Sequence, residues 1–212
     1  MPDRIPRRNF LKLSTLGLGA IGLAAVSCDE SSEANDNANL LIDVSCDLNT
    51  IRFEGPQGPN PDNADDIGPH PYYGASFVVQ GVIYLGGTLT NGDPNSGLFP
   101  DGTPEFPSEV IGRWICRGWF IGDSNDPARG GIFTPTGPFV ATTQIYDLNT
   151  EEPGSELIIS DGMELVDLNV PFNRPITGGT GTRNGASGSV TQTAIGGNQT
   201  GLFNFSFDFD FI

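Results

Sequence analysis

The stretch Phe203-Asn204-Phe205-Ser206-Phe207-Asp208-Phe209-Asp210-Phe211 decides the fold of this 212-residue chain. Five phenylalanines alternate with small or acidic residues at period two. A strand sends successive side chains to opposite faces, so five rings line one wall and the polar residues face water. A helix would scatter the same rings around its circumference. Plain core packing is the first reading of these rings, ahead of a ligand-stacking role.

Working outward, further period-two segments fall at Ile51–Glu54, Ser76–Leu85, Val110–Ile121, Phe139–Leu148, Glu156–Leu165 and Ser187–Ala194, bounded by Gly, Pro, Asn and Asp. Within Val110–Ile121 one face carries Val110, Gly112, Trp114, Cys116, Gly118 and Phe120, and the other carries Arg113, Arg117 and Trp119. Unpartnered arginines are expensive to bury, so the first face is expected inside. Asn91-Gly92, Asp101-Gly102 and Asp161-Gly162 are favoured turn or bulge dipeptides. The long connection from Gly55 to Gly74 holds Asp62, Asp65, Asp66 and His70, and it reads as a solvated loop because the EF-hand spacing is absent. Strands this numerous avoid free edges most simply by closing into a barrel.

Composition agrees. Glycine (29) and proline (17) are too frequent for a helix bundle, while 14 phenylalanines argue against disorder. The formal charge of −16 excludes a nucleic-acid binder working through a basic patch. His70 is the sole histidine, which rules out a histidine-rich metal site and disfavours a Ser-His-Asp triad. No ligand set for a metal or cofactor is legible, so none is expected.

Residues 1–27 read as an address rather than as part of the fold. Arg7-Arg8-Asn9-Phe10-Leu11-Lys12 resembles the twin-arginine export motif, and a glycine-diluted apolar run from Leu13 to Val26 follows. That run is shorter than the ~20 residues of a membrane span. Ala25-Val26-Ser27-Cys28 resembles a bacterial lipobox, although leucine is commoner where Ala25 stands. Cys28 is therefore the expected lipidation site, residues 28–39 a solvated tether, and residues 40–212 the folded domain. The protein is expected outside the cytoplasm, as a periplasmic or cell-surface lipoprotein held to the membrane through an N-terminal lipid. Lipidation leaves an even pair, Cys46 and Cys116, and an oxidising compartment favours a bridge between them. The alternative is two separate buried thiols.

Four segments then resemble the dirigent proteins and allene oxide cyclases, in the family's order. Pro175-Ile176-Thr177-Gly178-Gly179-Thr180-Gly181 through Gly185-Ala186-Ser187-Gly188 is similar to their glycine-rich hairpin. Val110-Ile111-Gly112-Arg113, Gly154-Ser155-Glu156-Leu157 and Phe203-Asn204-Phe205 are similar to three of their strand starts. The resemblance implies an all-β, eight-stranded antiparallel up-and-down (calycin-like) barrel with an apolar cavity, often trimeric, so a homotrimer is one assembly it allows. It also implies a cavity cysteine at Cys116 and a first-strand glutamate for which Glu54 is the nearest candidate. The dirigent arginine position is Phe172 here, but Arg174 lies two residues on and shares its face; an acid near Asp161 would pair with it. Plainer roles stand beside these: a loop-capping Arg174, a turn-starting Asp161, a surface Glu54.

Fold does not dictate function. The resemblance implies a cofactor-free cyclase or isomerase acting on a hydrophobic intermediate, which needs an open cavity with a convergent polar group. A non-catalytic lipocalin-like carrier needs a cavity lined almost wholly by apolar side chains. A surface structural module needs a barrel packed solid.

Overall fold

The computed structural model describes residues 39–58, 70–121, 139–165 and 167–212. The signal peptide, Cys28 and all but the last residue of the tether lie outside the described residues, as do Asp62, Asp65 and Asp66.

Eight antiparallel strands close into a barrel: β1 (Leu40–Glu54), β4 (Ser76–Leu85), β5 (Val110–Phe120), β6 (Phe139–Asp147), β7 (Leu157–Leu165), β8 (Pro171–Gly179), β9 (Gly188–Gly197) and β10 (Phe203–Phe211). From β4 onward each strand pairs with its successor, and β1 closes the ring between β10 and β4. The up-and-down barrel follows. Two-residue strands β2 (Gln57–Gly58) and β3 (His70–Pro71) pair with each other in the long connection.

The period-two residues fill the interior. Phe205, Phe207 and Phe209 are buried, packed with Ile42 and Val44 of β1, Trp114 of β5, Tyr146 of β6 and Ile158 of β7. Tyr146 meets Phe207 and Phe209 edge-on, with ring centroids 5.1 and 5.0 Å apart, a favourable quadrupole geometry. This packed end, where β1 begins and β10 finishes, is the floor. At the opposite end, the mouth, a second cluster of Ala75, Phe120 and Val140 packs with Phe53 and Phe77.

Two expectations about faces need correction. Asn204 was expected on the wet wall, yet it is buried, donating to the backbone oxygens of Ser96 and Gly197. The connection between β4 and β5 covers this part of the outer wall: Asp43 accepts from Leu89 N–H, and Tyr84, Leu89 and Ile195 form a cluster there. Val110 was expected inside but packs on that outer cluster, because the β4–β5 register shifts between Ile83 and Tyr84. Gly112, Trp114, Cys116, Gly118 and Phe120 do form the buried face. β8 falls outside the period-two segments of the sequence: its burial does alternate, but the inner face carries the charged Arg174 and the outer face Pro171 and Pro175, so neither reads as a strand. The glycine-rich hairpin joins β8 to β9. Gly188 there has φ +131° and an added Cβ would lie 2.1 Å from the Asp210 oxygen, so the hairpin needs glycine for both conformation and space.

Candidate functional site

The mouth half of the barrel is not filled. A cavity of about 210 Å³ lies between β1, β4, β5, β6 and β10, walled by Phe53, Phe77, Val79, Trp114, Phe120 and Phe205 among others. It is far larger than the ~30 Å³ share of one water, and an apolar cavity of about 150 Å³ suffices for benzene. Three less inert side chains reach this wall: Cys46, Cys116 and Glu164.

Glu164 anchors a buried polar cluster on the β6 to β9 side of the interior, beside the cavity: in register Glu164 pairs with Val140 and Gln144 with Cys116, both of which line it. Its Oε2 accepts from Arg174 Nη1 at 3.0 Å and from Gln144 Nε2 at 2.6 Å. Gln144 also donates to Gln192 Oε1 at 2.9 Å and accepts from the Tyr146 hydroxyl. Arg174 is 1% exposed and donates further to Ser160 Oγ at 3.2 Å and to the Thr142 carbonyl at 3.0 Å.

The local fold explains why an arginine is tolerated here. The β7–β8 ladder runs only from Ile158↔Gly179 to Ser160↔Ile176, with a register shift between Ile159 and Ser160. Beyond it the two strands share no ladder pair, and Gly162 takes a φ of +153°. The guanidinium sits beside this opening and bonds backbone oxygens of β6 and β7, which replaces part of its lost hydration.

Burial pushes the Glu164 carboxyl above its ordinary range, and the nearby Arg174 charge offsets part of that effect. Burial likewise holds the Cys46 and Cys116 thiols well up, so both are neutral, apolar-like groups. The site thus offers an apolar chamber with one proton-bearing or proton-accepting group on its wall, backed by a fixed cation.

The sequence candidates divide sharply. Arg174 and Cys116 are inside. Asp161 is not a turn residue and does not pair with Arg174; it lies mid-strand and bonds the Thr143 and Thr177 hydroxyls at 2.5 and 2.8 Å. Those hydroxyls hold its carboxyl below the usual range. The acid on Arg174 is Glu164, three residues further along β7 and therefore on the opposite face. Glu54 is exposed at the end of β1, beside an inward Phe53, so it is no cavity acid. The Cys46–Cys116 bridge is not formed, and both are free thiols. Strand β4 stands between them, with Cys46 opposite Gly81 and Cys116 opposite Val79. Two spacings of ~4.8 Å already separate their α-carbons by about 10 Å across the sheet, and the two-residue offset along β4 adds to it, beyond the roughly 7 Å a disulfide spans.

Glu164, Gln144, Tyr146 and Gln192 were not singled out from sequence. A parity signal existed: Glu164 shares its face with Ile158, as Arg174 does with Ile176.

What these elements define is a closed antiparallel barrel with an apolar cavity set on a buried Glu–Arg pair. No family model and no curated protein matches the chain. Solved structures do. One pterocarpan synthase dirigent protein is 12% identical over 80% of this chain and 90% of its own, with a TM-score of 0.50. A second pterocarpan synthase dirigent protein is 12% identical over 80% of each chain (TM-score 0.48). A pyocyanin demethylase is 14% identical over 80% of this chain and 97% of its own (TM-score 0.43). The barrel fold is similar to that of dirigent proteins.

Proposed function

We propose that this protein is an exported, lipid-anchored barrel of the dirigent and allene oxide cyclase kind, which binds a hydrophobic small molecule and steers its cyclisation or isomerisation without a cofactor. The observation that carries this reading is the placement of Glu164, an acid on the wall of an otherwise apolar cavity, held in place by Arg174 and Gln144. Apolar walls bind and orient the ligand while excluding water, and a fixed orientation selects one ring closure among several. Glu164 gives or takes a hydrogen bond, or a proton, at the ligand's single polar group. Arg174 stabilises the carboxylate whenever the proton leaves.

Two single-ring probes test the binding. By calorimetry, p-cresol should bind about tenfold more tightly than toluene, the worth of one hydrogen bond to an ionisable partner. Glu164→Gln should shrink that preference, and equal binding of the two probes by the wild type would contradict the role of Glu164.

The nearly unbroken apolar lining favours a second reading, a carrier that releases its ligand unchanged. An achiral quinone methide offered in solution separates the two. Steering gives an excess of one enantiomer of the cyclised product, reduced in Glu164→Gln; carriage gives the racemate. Export rests on Arg7 and Arg8, so replacing both by lysine should keep the protein in the cytoplasm. Anchoring rests on Cys28, and Cys28→Ala should release an exported form without an acyl group.

A further inference from the structure

We infer that the mouth end of the barrel docks on a lipid surface, from which the cavity draws its apolar ligand. The inference rests on the cavity's being a site for such a molecule, as proposed above. Half of the large hydrophobic side chains left exposed among the described residues form a set at this end: Leu48, Trp119, Met163, Leu168, Val170 and Phe203 are each between 37% and 56% exposed. Trp119 and Met163 fall on one outer row, since each pairs with Ala141 across the sheet. Exposed hydrophobics scattered singly need no explanation, but a set gathered at one end does.

Leu48 and Phe203 are both exposed and part of the cavity wall, so the rim and the chamber form one continuous apolar surface. The floor end has exposed Leu41, Leu85 and Ile212 but closes over packed aromatics. Tryptophan with its amphipathic ring suits the level of lipid headgroups. A molecule that fits so apolar a chamber concentrates in a bilayer rather than in water, which places its source where the rim points.

Charge narrows the occupant. A chain of net charge −16 disfavours an anionic bilayer and works against a second copy, which favours a neutral or zwitterionic lipid surface as the occupant. A lipid on Cys28 is compatible with this orientation. The dozen residues from Cys28 to Leu40 reach up to about 40 Å when extended. Strands of 9 to 11 residues at the usual barrel tilt stand roughly 21–30 Å tall. The tether can therefore run from the floor end to a membrane at the mouth.

The experiment uses the full chain carrying Cys28→Ala, so that no acyl group contributes. Phosphatidylcholine vesicles with doxyl-labelled lipid should quench Trp119, which is exposed, while Trp114 is buried. Met163→Glu with Leu168→Glu should weaken vesicle partition by about tenfold or more, since each removes an apolar contact and adds a charge. Binding to phosphatidylglycerol vesicles should be weaker and should strengthen with salt, as screening relieves repulsion. Absence of quenching, or partition unchanged by the paired glutamates, overturns the proposal. So does self-association abolished by those glutamates without lipid quenching, which assigns the face to a second copy. Toluene binding by both proteins in vesicle-free buffer confirms that the variant is folded. It also separates the two failures: normal toluene binding without docking sinks only the docking, and docking without toluene binding sinks the cavity reading.

Discussion

The two halves of the barrel interior are built from the same strands yet end differently. In the floor half, Phe207, Phe209, Tyr146 and Ile158 interlock and leave no exposed surface. In the mouth half, Phe53, Phe77, Phe120 and Phe203 are equally aromatic but line a space. Alternation of apolar residues therefore specifies a wall; it does not specify that the wall is met by another. The halves meet directly through Trp114 and Phe205, which line the space and pack against Phe207. The polar cluster of Glu164, Gln144, Gln192 and Arg174 interrupts the hydrocarbon on the β6 to β9 side, and it leaves Gln192 Nε2 buried without a partner.

The contrast can be broken most severely on β10, whose rings belong to both halves. Phe207→Ala should lower the unfolding free energy by about 3–5 kcal/mol, as expected for a ring deleted from a close-packed core. Phe203→Ala should lower it by no more than about 1 kcal/mol, because that ring borders open space. Urea denaturation of both variants checks the pair, and equal losses would erase the distinction between floor and mouth.

A smaller effect comes from the polar cluster beside the space. Glu164→Gln strands a buried guanidinium but keeps an acceptor, so it should cost about 3 kcal/mol, near the lower end for a broken buried pair. Its pH dependence is more telling. Burial raises the folded value above the ordinary 4.5, so the native state holds this proton more tightly than the unfolded chain does. That stabilisation is complete below about pH 4.5 and is lost as the pH rises through the folded value. The stability advantage of the wild type over Glu164→Gln should accordingly shrink with rising pH across that window. Denaturant titrations of both proteins at several pH values would show the opposite trend if Arg174 lowered the carboxyl overall.

Smallest of all should be Glu54→Gln, on the outer end of β1, which should shift stability by no more than about 0.5 kcal/mol and leave toluene binding unchanged. A loss of binding there would reinstate Glu54 as a cavity acid.

The floor was largely legible in the sequence and the mouth was not, for a physical reason. Phe203 to Phe211 announce themselves because burial and strand period coincide along the whole segment. Arg174 was reached through resemblance, while its strand was missed because its inward residue is charged and prolines flank it. Asp161 drew attention as the acid nearest a glycine turn signal; Gly162 instead sits in a strand where the β7–β8 ladder has lapsed. Glu164 was hidden for the same reason that it matters. An acid inside an apolar chamber violates the pattern by which inward faces are recognised. Side-chain parity along Ile158, Ser160, Gly162 and Glu164 would have found it, given trust in an unbroken strand. The bridge between Cys46 and Cys116 followed from counting, and counting carries no distance.

If the halves differ as described, the mouth half holds a small apolar molecule and the floor half does not. An NMR titration of the isotopically labelled protein with toluene tests it most directly. Saturable shifts are expected at Phe53, Phe120, Cys116 and Phe205, with Phe209 and Tyr84 unmoved, and at a toluene concentration near 100 times the dissociation constant a stabilisation of about 2.7 kcal/mol. Shifts spread over the outer surface without saturation, or none at all, would contradict it.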